Sequence, residues 1–257
     1  MSVATATKTQ PIAGNLDAKR SLGFLSPLAD LLKISGQKVV LRFNSTEKNI
    51  TINAVNDQRN VVGMVEYDKS LLEGFTFTED IAFGIFDLTE FYNIAKIFDG
   101  GFDLSVSSTE SRLHSNGMEF SYLPCEPDVI KEGPKSLKGS LNWLAEFKWN
   151  SAKFKSFERA LSALKHKYVL FEGKSGSKEL IVAISDKGVR SSSFKETIIL
   201  EDPLSGDIKL YLNKENLIPI VTGTVDELTI QLSDKLVNIA GSTEFHKVKY
   251  YVSPIAE

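Results

Sequence analysis

This chain of 257 residues has one cysteine, Cys125, which excludes an intrachain disulfide and a cysteine cage for a metal ion. Histidine is almost as scarce: His114, His166 and His246 stand apart, with none of the H-E-x-x-H spacings that bind zinc. No apolar run approaches the ~20 residues of a membrane span. The opening MSVATATKTQPIAGN lacks the apolar core of a signal peptide, and a soluble, cytoplasmic protein with no membrane contact is expected. Glycine-rich nucleotide loops and the G-x-S-x-G elbow are missing too. The segment GKSGSKE (173–179) looks superficially like a phosphate loop, but it lacks the leading glycine spacing and runs into the strand pattern ELIVAIS, so it reads as a hairpin turn. The carboxylate pairs Glu79/Asp80 and Glu201/Asp202 read as solvated loop charge, and Cys125 has no basic sequence neighbour to activate it. No catalytic residue, cofactor or metal is expected, and the chain is not expected to be an enzyme.

A large excess of charge is also lacking. Thirty Lys and Arg against 33 Asp and Glu leave −3, so no global basic field attracts a polyanion. The balance is uneven, however. Residues 151–167 (SAKFKSFERALSALKHK) hold five basic side chains and one acidic, a local +4.

What the chain has in quantity is a 42% hydrophobic composition, enough for a real core, and an order of elements that occurs twice. A helix over 20–34 precedes the strands KVVLRF, NITINAV and VVGMVEY; a helix over 151–166 precedes KYVLFEG, ELIVAIS and ETIILE. A strand entering a short helix follows in each half, then closing strands. A shift of 126 residues lays Phe86, Asp87, Phe91, Ile94, Phe102, Leu104 and Val106 on Leu212, Asn213, Leu217, Ile220, Leu228, Ile230 and Leu232. Asp87 and Asn213 suit a helix N-cap, and Pro219 keeps the second short helix brief. Between the halves, LPCEPDVIKEGPKSLKGSLN (123–142) holds three of the eight prolines and no sustained period. The expected division is a flexible tail (1–20), a first domain (21–124), a connector (125–141) and a second domain (142–257).

On the 151–166 helix, Phe154, Phe157, Leu161 and Leu164 share an apolar face, and Lys155, Arg159, Ser162 and His166 form a second stripe. On the 88–98 helix, Leu88, Phe91, Ala95 and Phe98 lie opposite Thr89, Asn93 and Lys96. Such polar faces meet either solvent or a phosphate backbone, which Lys and Arg can touch without reading sequence.

Four segments then resemble the DNA sliding clamps related to proliferating cell nuclear antigen, including the trimeric clamps of tailed phages. VKYYVSPIAE (248–257) is similar to the clamp C-terminus. SDKGVRSSSF (185–194) resembles the S-x-D-G-V-x-F-S-x-S turn, with the aromatic–serine pair only partly kept at Ser192. NAVNDQRNVVGMVEY (53–67) matches the first-domain segment at Asp57 and Val61, and GIFDLTEFYNIAKIF is similar to the phage clamps' strand-then-helix unit. The resemblance spans 21–257. It implies an α+β fold of two similar DNA-clamp domains, antiparallel sheets outside and two helices inside each, assembling into a ring. It implies a homotrimer around double-stranded DNA that acts as a processivity factor, tethering a replicative DNA polymerase and served by a clamp loader. Lys155, Arg159, Lys153, Lys96 and Lys33 are the expected DNA-facing residues. Tyr251, Val252, Ser253, Pro254, Ile255 and Val61 are the expected peptide pocket, with Val129 and Ile130 as further walls. His114 to Phe120 and Ser191 to Ile198 are the expected ring contacts. The alternative is a monomeric DNA-binding processivity factor of the same fold, which would need a larger basic surface.

Overall fold

The computed structural model describes residues 11–35, 37–136, 140–186, 193–221, 225 and 227–255. The first half runs β1 (Ile12–Asp17), α1 (Ala18–Ser35), β2 (Val39–Asn44), β3 (Asn49–Val55), β4 (Val61–Tyr67), β5 (Ile81–Ile85), α2 (Leu88–Ala95), β6 (Gly101–Val106), β7 (Ser111–Ser115) and β8 (Met118–Tyr122). After a 3₁₀ turn at Pro127–Val129 the second half repeats that order: β9 (Ala145–Asn150), α3 (Ser151–Ala163), β10 (Tyr168–Gly173), β11 (Glu179–Ser185), β12 (Phe194–Ile199), β13 (Ile208–Asn213), α4 (Lys214–Val221), β14 (Glu227–Leu232), β15 (Val237–Ser242) and β16 (His246–Val252). The duplication read from the sequence is therefore a duplication of structure.

Two opening strands escaped the sequence reading. Residues 12–17, expected in a flexible tail, form β1 and pair with β6; residues 145–150 form β9 and pair with β14. The signal for β9 was present, because AEFKWN alternates strictly between buried and exposed. The helices begin where side chains cap them. Asp17 accepts the Arg20 N–H at 2.9 Å, Asp87 that of Glu90 at 2.9 Å, and Asn150 that of Lys153 at 3.1 Å. α1 continues through Pro27, which is buried. Pro27 cannot donate to the Gly23 carbonyl, and the Ser26 hydroxyl approaches that oxygen at 3.5 Å.

Every pairing between the named strands is antiparallel. One sheet has the order β1-β6-β7-β8 and another β12-β11-β10-β13. The third has eight strands, β5-β2-β3-β4-β16-β15-β14-β9, and is a fusion of the two quasi-equivalent units from opposite halves. The join is the β4–β16 pair, running from Val61 opposite Val252 to Tyr67 opposite His246. Helices form a layer on one face: α1 packs on α2 and α4, and α3 on α4. α1 covers the join so closely that a Cβ on Gly63 would lie 2.9 Å from Leu31, and one on Gly23 only 2.4 Å from Phe245. Tyr67 closes the contact by donating its hydroxyl to the Phe24 carbonyl at 2.8 Å.

The 126-residue shift slips at one point. Phe86 is 53% exposed whereas Leu212 is fully buried. Ile85, opposite Val39, occupies the inward position that Leu212, opposite Val169, has in the second half. The hairpin expected at 173–179 joins β10 to β11, with Gly176 at φ +78°.

Candidate nucleic-acid interface

α3 is anchored from below and open above. Phe154, Phe157 and Leu161 are buried, and the Trp149 ring lies tilted 4.8 Å from Phe157 and edge-on 5.7 Å from Phe154. Lys155 and Arg159 are exposed, have no partner among the described residues, and border a shallow depression with Glu158, Ser162 and Ala163. Lys153, expected beside them, bonds Glu196 on β12 at 3.2 Å and so ties the helix to an edge strand. His166, expected on the basic stripe, is buried instead. α3 ends at Ala163, the chain turns extended at Leu164, and the His166 Nδ1 meets Asp186 at 3.1 Å. The Lys167 backbone N–H and His166 hold the Asp186 carboxyl below its usual range. Sequence reading missed Lys214, which donates to the Leu161 and Leu164 carbonyls at 3.0 and 2.8 Å and so serves the otherwise open C-terminal end of α3.

The remaining cations are spread out. Lys33 is exposed in the last turn of α1, where the Leu88 N–H bonds the Gln37 carbonyl at 2.7 Å. Lys96 closes the far end of α2, 5.4 Å over the Tyr92 ring. The fold thus brings Lys155 and Arg159 together and leaves Lys33 and Lys96 at opposite ends of the α1–α2 pair.

The C-terminal segment continues from β16 past the end of the join. Ser253 donates to the Asn60 carbonyl at 2.9 Å, and Ile255 to the Tyr211 carbonyl at 2.8 Å. Tyr251, Ser253, Pro254 and Ile255 are half-buried, and partial burial raises the Tyr251 phenol. Val61 and Val252 are not available to a partner: strand alternation turns both inward, to 2% and 0% exposure, and presents Val62 outward instead. The connector runs beside this segment. Cys125 donates to the Gly84 carbonyl at 3.0 Å, Gly133 to that of Asn53 at 3.0 Å, and Glu132 takes the Arg42 guanidinium through Nε at 2.8 Å and through Nη2. Ile130 is buried and Val129 is 63% exposed. Of the expected ring contacts, Ser191 and Ser192 lie outside the described residues, as does most of the SDKGVRSSSF turn.

The whole arrangement matches solved structures nearly end to end. PCNA of A. fulgidus, in a structure with the C-terminal region of FEN-1 bound, superposes with a TM-score of 0.78 at 17% identity, over 96% of this chain and 99% of that one. Proliferating cellular nuclear antigen from Entamoeba histolytica gives 0.78 at 16% identity over 96% and 100%. A chain of the PCNA2–PCNA3 complex from Sulfolobus tokodaii gives 0.75 at 13% over 95% and 100%. The chain has the PCNA sliding-clamp fold. No family model and no curated protein matches it by sequence. At this level of identity the clamp fold is carried by sheet order and core pattern. The correspondence covers both halves, the helix layer and the connector alike.

Among the described residues no cluster of His, Cys, Asp or Glu could hold a metal ion, and no helix is long and apolar enough to cross a membrane.

Proposed function

We propose that this chain is a sliding clamp: three copies close head to tail into a ring around duplex DNA and tether a DNA polymerase. The observation that carries this reading is a pair of open strand edges. β8 is the quasi-equivalent of β16, and β12 that of β4; inside the chain β4 and β16 pair, whereas among the described residues β8 and β12 are free edges of separate sheets. Repeating the internal pairing between copies sets β8 of one copy against β12 of the next, near His114 to Phe120 and 193–198. That contact is heterologous, and it yields a closed ring when the rotation closes. It also removes two unpaired strand edges that would otherwise invite aggregation.

In such a ring the helices face the hole, and Lys155 and Arg159 meet phosphates with no base contact, so every position along the duplex is equivalent. Lys33, Lys96 and Lys153 add weaker phosphate contacts, and topology rather than tight binding holds the ring on DNA. A loader opens it. Polymerase and loader dock short peptide motifs at Tyr251, Ser253, Pro254, Ile255 and the outward Val62. The two domains meet across β4 and β16, with residues 125–141 as their connector.

Light scattering on a sizing column across a concentration series tests this. Three chains of 28.5 kDa give 85.5 kDa, the expected mass. A stable 28.5 kDa species at high concentration would remove encirclement and favour the monomeric alternative.

A further inference from the structure

The internal join carries a register for pairing between copies, because each of its strands has a counterpart at an edge left open among the described residues. In the first half Leu104, Leu113 and Phe120 form one cross-strand row; in the second, Ile230, Ile239 and Tyr250 form its equivalent. Phe120 on β8 therefore stands where Tyr250 stands on β16. A second row runs Ala82, Arg42, Thr51 and Glu66, and its equivalent runs Lys209, Glu172, Ile181 and Thr197. Thr197 on β12 thus stands for Glu66 on β4, and Phe194 for Gly63. Within the chain Tyr250 lies opposite Gly63, Lys249 opposite Met64 and Tyr251 opposite Val62. Carried over to β8 and β12, those pairs become Phe120 with Phe194, Glu119 with Lys195 and Ser121 with Ser193.

The side chains themselves favour this register. Glu119 and Lys195 are exposed and enter no ion pair among the described residues. Arg112, whose charge Glu119 feels from β8, is already taken by Glu110 at 2.8 Å. Set opposite each other, Glu119 and Lys195 make a cross-strand pair of opposite sign. On the helix side Phe120 and Phe194 are half-buried, and each ends a chain of aromatic rings. Phe120 lies 6.3 Å from Tyr122, itself 5.6 Å from Phe91; Phe194 lies 6.2 Å from Phe157, itself 4.8 Å from Trp149. Pairing covers both open rings and joins the two aromatic cores. A slip of one residue would turn every side chain to the wrong face. A slip of two would set Phe120 against Glu196 and Glu119 against Thr197. The Asn116–Gly117 turn, with both residues at positive φ, confines the ladder to Met118 onward.

On the ring reading above, we propose that the partner fitted to these edges is a second copy of this chain, held in register by Phe120 against Phe194 and Glu119 against Lys195. These four side chains select the copy, and a strand without an aromatic and a cation at the positions of Phe194 and Lys195 does not fit β8.

The test uses the full chain with Cys125→Ser, so that introduced cysteines are the only ones. Directly opposed residues come within disulfide reach, whereas diagonal neighbours ~7–8 Å apart do not. With Ser121→Cys and Ser193→Cys, oxidation by diamide should give covalent dimers and trimers on a non-reducing denaturing gel. Ser121→Cys with Lys195→Cys should stay mostly single-chain. By light scattering, Glu119→Lys should raise the concentration of half-assembly about fivefold, and adding Lys195→Glu should restore it. Circular dichroism confirms that each variant is folded. A parent that stays at 28.5 kDa would sink the ring and this pairing together. A parent of three chains that cross-links better through the shifted pair, or whose charge reversal has no effect or no rescue, would overturn the register alone.

Discussion

The two halves of this molecule share one plan and differ in what they present. In the first half the cross-strand pair at the base of the helix layer is Leu16 opposite Phe102; in the second it is Trp149 opposite Leu228. The large ring has changed strands while the space is still filled. Interiors pack near crystal density, so a duplicated core drifts by such compensating exchanges rather than by single changes of volume. The surfaces have diverged further. On α1 the outward positions are Lys19, Leu22, Ser26, Ala29 and Lys33, with Lys19 held by Glu244 at 2.6 Å and Leu22 69% exposed. On α3, Lys155 and Arg159 stand open a turn apart. Core positions of a duplicated unit answer to packing in both copies, whereas outward positions answer only to what each copy meets.

The largest effect expected from breaking this comparison is in the core. Trp149→Ala should cost ~3–5 kcal/mol and Leu16→Ala ~2–5 kcal/mol in urea unfolding. Because β4 and β16 join the halves in one sheet, both variants should lower a single shared transition. Separate transitions for the two halves would contradict that. Next comes His246, buried at the join against Tyr67 with its ring centroid 6.4 Å away. Burial lowers its pKa from 6.5 to about 4, with the Gly23 backbone opposing. Between those values the unfolded chain binds the proton more readily, so stability is full above pH 6.5 and falls as pH drops to about 4, by about 3 kcal/mol. His246→Gln should flatten that slope in urea titrations at a series of pH values.

Smaller again is the contrast between the helices. Lys155→Ala with Arg159→Ala should reduce loader-dependent loading onto circular DNA about tenfold and lower its salt slope by ~2, while native mass stays that of the parent. Lys33→Ala with Lys96→Ala should change it by less. Equal losses from the two pairs would show that the halves contact DNA alike. The smallest effect is at a helix start: Asp17→Ala should lower the urea midpoint only slightly, because the Arg20 N–H loses its cap. The Arg20 backbone N–H holds the Asp17 carboxyl below 3.8, so this contribution is present above that pH and fades as pH falls further. The loss measured for Asp17→Ala should therefore shrink in acid.

The duplication, the hairpin at 173–179, the helix caps at Asp87 and Asn213 and the apolar face of α3 were legible in sequence because each rests on local spacing. β9 was legible as well, in the strict alternation of AEFKWN, but its place beside a proline-rich connector hid it. Val61 was misjudged because a motif match marks a position along the strand, whereas the parity of the strand decides which face it takes. His166 followed the helical period on paper, yet the helix had already ended at Ala163.

By itself the sequence determined the order of elements, the buried stripes and the uneven charge, since these depend on residues a few positions apart. Tertiary structure alone decided that β4 meets β16 while β8 and β12 lie at sheet edges among the described residues, and that Lys153 goes to Glu196 and Lys214 to the end of α3. Those facts join residues up to some two hundred positions apart. Only the packing of sheets and helices around a shared core brings such residues to one place.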